Sequence, residues 1–93
     1  MADERRARVV VSGRVQGVFF RASTARRASE VGVTGWVRNR MDGKVEAVFE
    51  GAEPRVRAMV NWCRRGPGAA VVESVQVEYS DATGEFSGFR VRY

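Results

Sequence analysis

Two hydrophobic rhythms divide this chain of 93 residues: a period of two along five short stretches, and a period of three to four along two others. Residues 7–13, Ala-Arg-Val-Val-Val-Ser-Gly, are rich in β-branched side chains and end in glycine, which predicts a strand with Val9 and Val11 on one face. Ala22, Ala25, Ala28 and Val31 recur at every third position with Arg26, Arg27 and Glu30 between them. That spacing predicts a helix over 22–31 with a narrow face of small side chains, closed by Gly32. Residues 34–40 and 44–51 read as strands joined by Met41-Asp42-Gly43, where Asp-Gly is a strong hairpin signal. On the second of them Val45, Ala47 and Phe49 alternate with Glu46, Val48 and Glu50.

Glu53-Pro54 opens a second helix, since proline suits the first helical position and a carboxylate suits the positive end of the dipole. Val56, Met59, Val60 and Cys63 follow at i, i+3, i+4 and i+7, and Gly66-Pro67-Gly68 ends the segment. Val71, Val75, Val77 and Tyr79 mark a fourth strand, and Phe89, Val91 and Tyr93 a last one. The order βαββαβ plus a C-terminal strand predicts an α+β fold: a ferredoxin-like split βαβ sandwich, with two helices on one face of an antiparallel sheet. A chain of this length holds one core and not two, so residues 7–93 are expected to form one domain behind a frayed tail at 1–6.

Composition narrows the chemistry. Histidine is absent, which excludes a Ser-His-Asp triad, a Cys-His pair and imidazole metal sites. The lone Cys63 cannot form an internal disulfide or supply a thiolate zinc site, and Ala69 stands where a cysteine phosphatase loop needs arginine, so packing in the helix core is expected. No metal and no cofactor are expected. The 44% hydrophobic and 29% charged residues fit a globular domain, and no apolar run approaches the roughly 20 residues that cross a bilayer. The start, Met1-Ala2-Asp3-Glu4-Arg5-Arg6, lacks a signal peptide's apolar stretch, so a cytoplasmic location is expected, with no membrane partner; a monomer is also expected. A net charge of +5 points to an anionic partner. Fifteen arginines beside one lysine, with Leu and Ile missing, also fit the codons of a genome rich in G and C, so the charge alone identifies no partner.

Two segments could carry chemistry. Arg14-Val15-Gln16-Gly17-Val18-Phe19-Phe20-Arg21 joins the first strand to the first helix, and a loop entering a helix N-terminus can aim consecutive N–H groups at phosphate oxygens. Gly17 permits a positive φ and Gly13 a close backbone approach, while Arg21 offers a forked guanidinium contact to the same anion. An ordinary βα turn with a solvated Arg21 is the alternative. In Gly35-Trp36-Val37-Arg38-Asn39 the uncharged carboxamide of Asn39 can hold a water and leave it nucleophilic. Alternatively, Asn39 only initiates the hairpin turn.

Together, Gly13-Arg14-Val15-Gln16-Gly17-Val18-Phe19-Phe20-Arg21 and Gly35-Trp36-Val37-Arg38-Asn39 through Gly43-Lys44-Val45 to Gly51 resemble the two signature stretches of the acylphosphatase family. The resemblance runs from about Arg8 to Tyr93. It implies hydrolysis of the carboxyl-phosphate bond of small acyl phosphates to a carboxylate and inorganic phosphate; that product is expected to act as a competitive inhibitor at the loop's N–H groups. It also implies that Arg21 holds the phosphoryl group with the backbone of Val15, Gln16, Gly17, Val18, Phe19 and Phe20, and that Asn39 positions the attacking water. Two other readings share the element order. An RNA-binding module would need stacking aromatics where the third strand has Glu46, Val48 and Glu50, so no nucleic-acid partner is expected. A relative that handles carbamoyl phosphate would keep the same loop.

Overall fold

In the computed structural model, which describes residues 3–93, the chain forms β1 (Glu4–Arg14), α1 (Phe20–Val31), β2 (Thr34–Asn39), β3 (Val45–Ala52), α2 (Glu53–Cys63), β4 (Val71–Asp81) and β5 (Phe89–Arg92). The five strands make one sheet in the order β4-β1-β3-β2-β5. The first four pair antiparallel, and β5 departs from the expected pattern by lying parallel to β2. Helix α2 packs on β1 and β3, and α1 packs on β2, β5 and α2. The architecture is the ferredoxin-like α+β sandwich, with a mixed rather than wholly antiparallel sheet.

The core follows from the period-two pattern. Ala7, Val9 and Val11 of β1, Val37 of β2 and Val45, Ala47 and Phe49 of β3 are buried against Val56, Met59, Val60 and Cys63 of α2. Burial pushes the Cys63 thiol up to about 12, so at neutral pH it is a small apolar filler. Two aromatic pairs join this layer: Phe49 stacks on Phe89 with centroids 5.6 Å apart, and Phe20 meets Trp62 edge-on at 5.6 Å.

Several boundaries differ from the pattern's prediction. Strand β1 begins at Glu4, with Arg5 paired to both Gly51 and Asp81, so the expected tail does not include residues 4–6; residues 1 and 2 lie outside the described residues. Helix α1 starts two residues early and buries Phe20, Thr24 and Ala28 rather than a stripe of alanines. Three-residue spacing drifts 60° per step around a helix, so Ala22 rotates out to solvent while the four-residue set stays inward. Thr24 enters the core because its hydroxyl donates to the Phe20 carbonyl at 2.7 Å. On β4 the register against β1 shifts between Ser12 and Gly13, so that Val72, not Val71, packs on the core with Val75, Val77 and Tyr79.

The sheet's outer face is the main departure. Glu46, Val48 and Glu50 alternate with the core residues of β3 as expected, yet all three are buried. Glu46 accepts from Arg8 Nε at 2.6 Å and from Arg38 Nε and Nη2 at 2.9 and 2.7 Å. Glu50 accepts from Arg6 at 3.1 Å and from the backbone N–H groups of Thr83 and Gly84 at 3.1 and 3.0 Å. Burial acts to raise the pKa of Glu46, but the hydrogen bonds and charges of Arg38 and Arg8 outweigh it and hold the group below its ordinary value. A depressed folded-state pKa gives stability that is present above the unfolded value and lost as pH falls. Glu46→Gln is therefore expected to destabilise the protein by about 1–2 kcal/mol at pH 7, the worth of charge-assisted bonds to half-exposed arginines. In chemical denaturation the gap between variant and parent should close as pH falls below about 4.5.

Candidate active site

Strand β1 is antiparallel to β3 and β3 to β2, so β1 and β2 run parallel with one strand between them. Their C-terminal ends leave the same edge of the sheet. Val11, Val45 and Asn39 lie in one cross-strand row, and the Arg38–Arg92 pairing brings Tyr93 alongside Asn39 on the far side of β2. The loop after β1 must cross that edge to reach α1, which covers β2. The result is one cavity of about 350 Å³, lined by Val15, Gly17, Phe19, Phe20 and Arg21 from the loop and helix start, and by Ala22, Asn39, Val91 and Tyr93.

Backbone geometry shapes the loop. Gly13 has φ of 127° opposite the β4 bulge, where a Cβ would stand 2.2 Å from the Val71 carbonyl oxygen, so only glycine fits. Gly17 has φ of 74° with open space around it, so its requirement is conformational rather than steric. Among the described residues, the N–H groups of Gln16, Gly17, Val18 and Phe19 donate to no protein acceptor. Phe19, which takes the helix N-cap position, has no side-chain acceptor for the first turn of α1, and that turn contains no acidic residue. Consecutive open N–H groups at the positive end of a helix form an anion-binding concavity.

Side chains divide into those that face the cavity and those that hold the loop. Gln16 does not line the cavity: its Nε2 donates to the carbonyls of Arg40 and Lys44 at 2.8 and 2.9 Å, fastening the loop to the β2–β3 hairpin one residue beyond Asn39. Val18 packs partly buried against the core, and Phe20 is buried. Arg21 faces the cavity, with its guanidinium 4.8 Å from the centre of the Tyr93 ring. No carboxylate among the described residues lies within ion-pairing distance of it. Asn39 makes no side-chain hydrogen bond among the described residues, and the turn does not need it. Asp42 Oδ1 accepts from the Lys44 N–H at 3.1 Å, and the Arg40 N–H donates to Lys44 at 2.8 Å. The hairpin turn is thus closed by bonds that do not involve the Asn39 side chain. The Lys44 N–H, foremost, outweighs burial and holds Asp42 below its ordinary pKa, and its other oxygen is 2.9 Å from Arg40.

Six of the eight residues singled out from the sequence thus line one cavity, and Gln16 and Val18 support it from behind. Tyr93 was visible in the sequence only as the last step of an alternating strand; its place in the cavity depends on the parallel β2–β5 pairing, for which no local signal exists. Among the described residues, no group of three or more carboxylate or thiol side chains is arranged to hold a metal ion.

The acylphosphatase family model matches residues 7–91. An acylphosphatase of Pelotomaculum thermopropionicum is 59% identical over 88 residues, 95% of this chain and 96% of that protein. Among solved structures, an acylphosphatase from Coxiella burnetii superposes with a TM-score of 0.90 at 41% identity, covering 97% of this chain and 94% of that one. An acylphosphatase from Bacillus subtilis gives 0.91 at 34% identity, covering 96% and 99%. Because Gln16 joins the loop to the hairpin through two neutral hydrogen bonds, Gln16→Leu is expected to lower stability by about 1–2 kcal/mol in urea denaturation. Faster hydrogen exchange at the Arg40 amide should accompany the loss.

Proposed function

The chain belongs to the acylphosphatase family, and from that premise we propose that it hydrolyses small acyl phosphates by direct attack of water, with neither a metal ion nor a covalent intermediate. The observation that carries this reading is the meeting, in one cavity, of open loop N–H groups, an Arg21 without a carboxylate partner and an Asn39 free of the hairpin turn. The loop backbone from Val15 to Phe20 and the fork of Arg21 take the phosphoryl oxygens. The Asn39 carboxamide holds the attacking water in line with the phosphorus, and inorganic phosphate leaves from, and competes for, the same N–H groups.

The substrate's own chemistry makes this small set sufficient. An ordinary phosphate ester expels an alkoxide and needs an acid or a metal to do so. An acyl phosphate is a mixed anhydride whose leaving group is a carboxylate, with a conjugate-acid pKa of about 4. It departs unprotonated. What the protein must supply is position and a fixed array of donors for charge spreading over three equatorial oxygens. Buried and protonated, Cys63 offers no thiolate to compete with water.

Arg21→Lys separates charge from geometry. It retains the cation and removes the fork, in a protein already rich in cations, so a role in bulk potential would survive it. A loss of at least about tenfold in kcat/KM, or about 1.4 kcal/mol of transition-state stabilisation, is expected with benzoyl phosphate; a folded variant at parental efficiency would refute the forked contact. Asn39→Ala leaves the anion contacts in place and removes the water's anchor. Its kcat is expected to fall about 10²-fold with KM little changed, and a variant that keeps half its kcat would remove Asn39 from the mechanism. Circular dichroism should show both variants folded.

A further inference from the structure

Phe19 occupies a position that neither its backbone nor its burial explains. It is the one non-glycine with positive φ among the described residues, at φ 62° and ψ 24°, and the residue is 81% exposed. A bulky side chain in the left-handed region costs about 1–2 kcal/mol, which asparagine or glycine would largely avoid. Ordinarily, burial of the ring would offset that cost, but here the neighbouring Phe20 takes the buried place instead.

Phe19 lines the cavity together with Arg21 and Asn39, and also borders an adjoining depression with Ala22 and Arg26 of α1. Tyr93 is fully exposed and lines the same cavity. Met41, also fully exposed, borders the adjoining depression with Asn39 and Tyr93. Of the four large apolar side chains that the described residues expose, three therefore gather at this one edge of the sheet. Such grouping is unlike the scattered apolar residues of an ordinary surface and marks a site of contact.

We infer that the ring of Phe19 receives the acyl half of the substrate, giving the site a preference for acyl phosphates with an aromatic or bulky apolar acyl group. The inference rests on the proposed phosphoryl site. There the acyl carbon is two bonds from phosphorus, so an acyl group whose phosphoryl oxygens lie on the loop N–H groups must project to the cavity's rim. An apolar rim around an anion-binding floor matches the two halves of that molecule, and an acetyl group is too short to cover a ring. Phe19 is in this sense a specificity-determining residue, acting through its side chain while its N–H belongs to the loop.

The test compares kcat/KM for benzoyl phosphate and for acetyl phosphate in the parent, Phe19→Asn and Phe19→Trp. Disturbance of the loop falls on both substrates alike, so their ratio isolates the ring. The benzoyl-to-acetyl ratio is expected to fall about tenfold in Phe19→Asn and to stay within about twofold of the parent in Phe19→Trp. Asparagine accepts the left-handed backbone, so thermal unfolding should show no loss of stability. A ratio unchanged in Phe19→Asn would overturn the inference, as would one that falls equally far in Phe19→Trp. Arg21→Lys, assayed with the same two substrates, tells the two failures apart. If it keeps parental rates on both, the phosphoryl site itself is misassigned. If it is crippled while the Phe19→Asn ratio is unchanged, only the acyl contact is.

Discussion

The parallel alignment of β1 and β2, with β3 inserted between them, is the constraint from which the site follows. Adjacent strands lie about 4.8 Å apart, so the ends of β1 and β2 are separated by about 10 Å at the same edge. The connection from β1 to α1 must bridge that distance while the helix it enters packs over β2 and β5. A loop stretched across the edge in this way cannot also complete its own backbone hydrogen bonds, and its open N–H groups come to lie beside the last residue of β2. Asn39 is that residue. The proposed anion-binding loop and water-binding carboxamide are brought together by strand order, although 18 positions separate Arg21 from Asn39.

Charge is distributed to the same end. The outer face of the sheet holds arginines in plenty, but Arg6, Arg8 and Arg38 are tied to the buried carboxylates of Glu46 and Glu50. Those two glutamates offset much of the charge on the face that an RNA-binding module of this topology would present. At the cavity the balance is reversed: among the described residues Arg21 pairs with no carboxylate, and the Tyr93 ring lies beside it. An aromatic face holds a guanidinium in place without neutralising it, which leaves its charge available to an incoming dianion. A net charge of +5 is thus less informative than which arginines lack a carboxylate.

Much of this architecture is legible in the chain because local rules and tertiary packing agree. The α2 face of Val56, Met59, Val60 and Cys63 and the alternation of Val45, Ala47 and Phe49 are both buried where their periods put them. Prediction fails where two elements negotiate a position. The bulge at Ser12 and Gly13 moves Val72 inward in place of Val71, and α1 buries Thr24 because a hydrogen bond within the helix satisfies its hydroxyl. The candidate residues could be read from glycine placement and side-chain chemistry. The Gln16 clamp and the position of Tyr93 could not, since both depend on contacts across strands distant in sequence.

Open N–H groups stabilise a developing charge only if they are already aimed before the reaction begins, because a loop that reorganises spends the gain on its own ordering. This loop is short and contains glycine, yet it is held along its length. Gly13 seats one end opposite the β4 bulge, where no other residue fits. Gln16 fixes the middle to the hairpin, Val18 packs on the core, and Phe20 locks the far end against Trp62. Gln16 and Val18 hold the loop from outside the cavity's lining, and the loop N–H groups remain free of protein partners among the described residues. Rigid backbone with open donors substitutes, in the proposed reaction, for the histidine chemistry that this composition does not contain, and it can do so because the carboxylate leaving group asks for no proton.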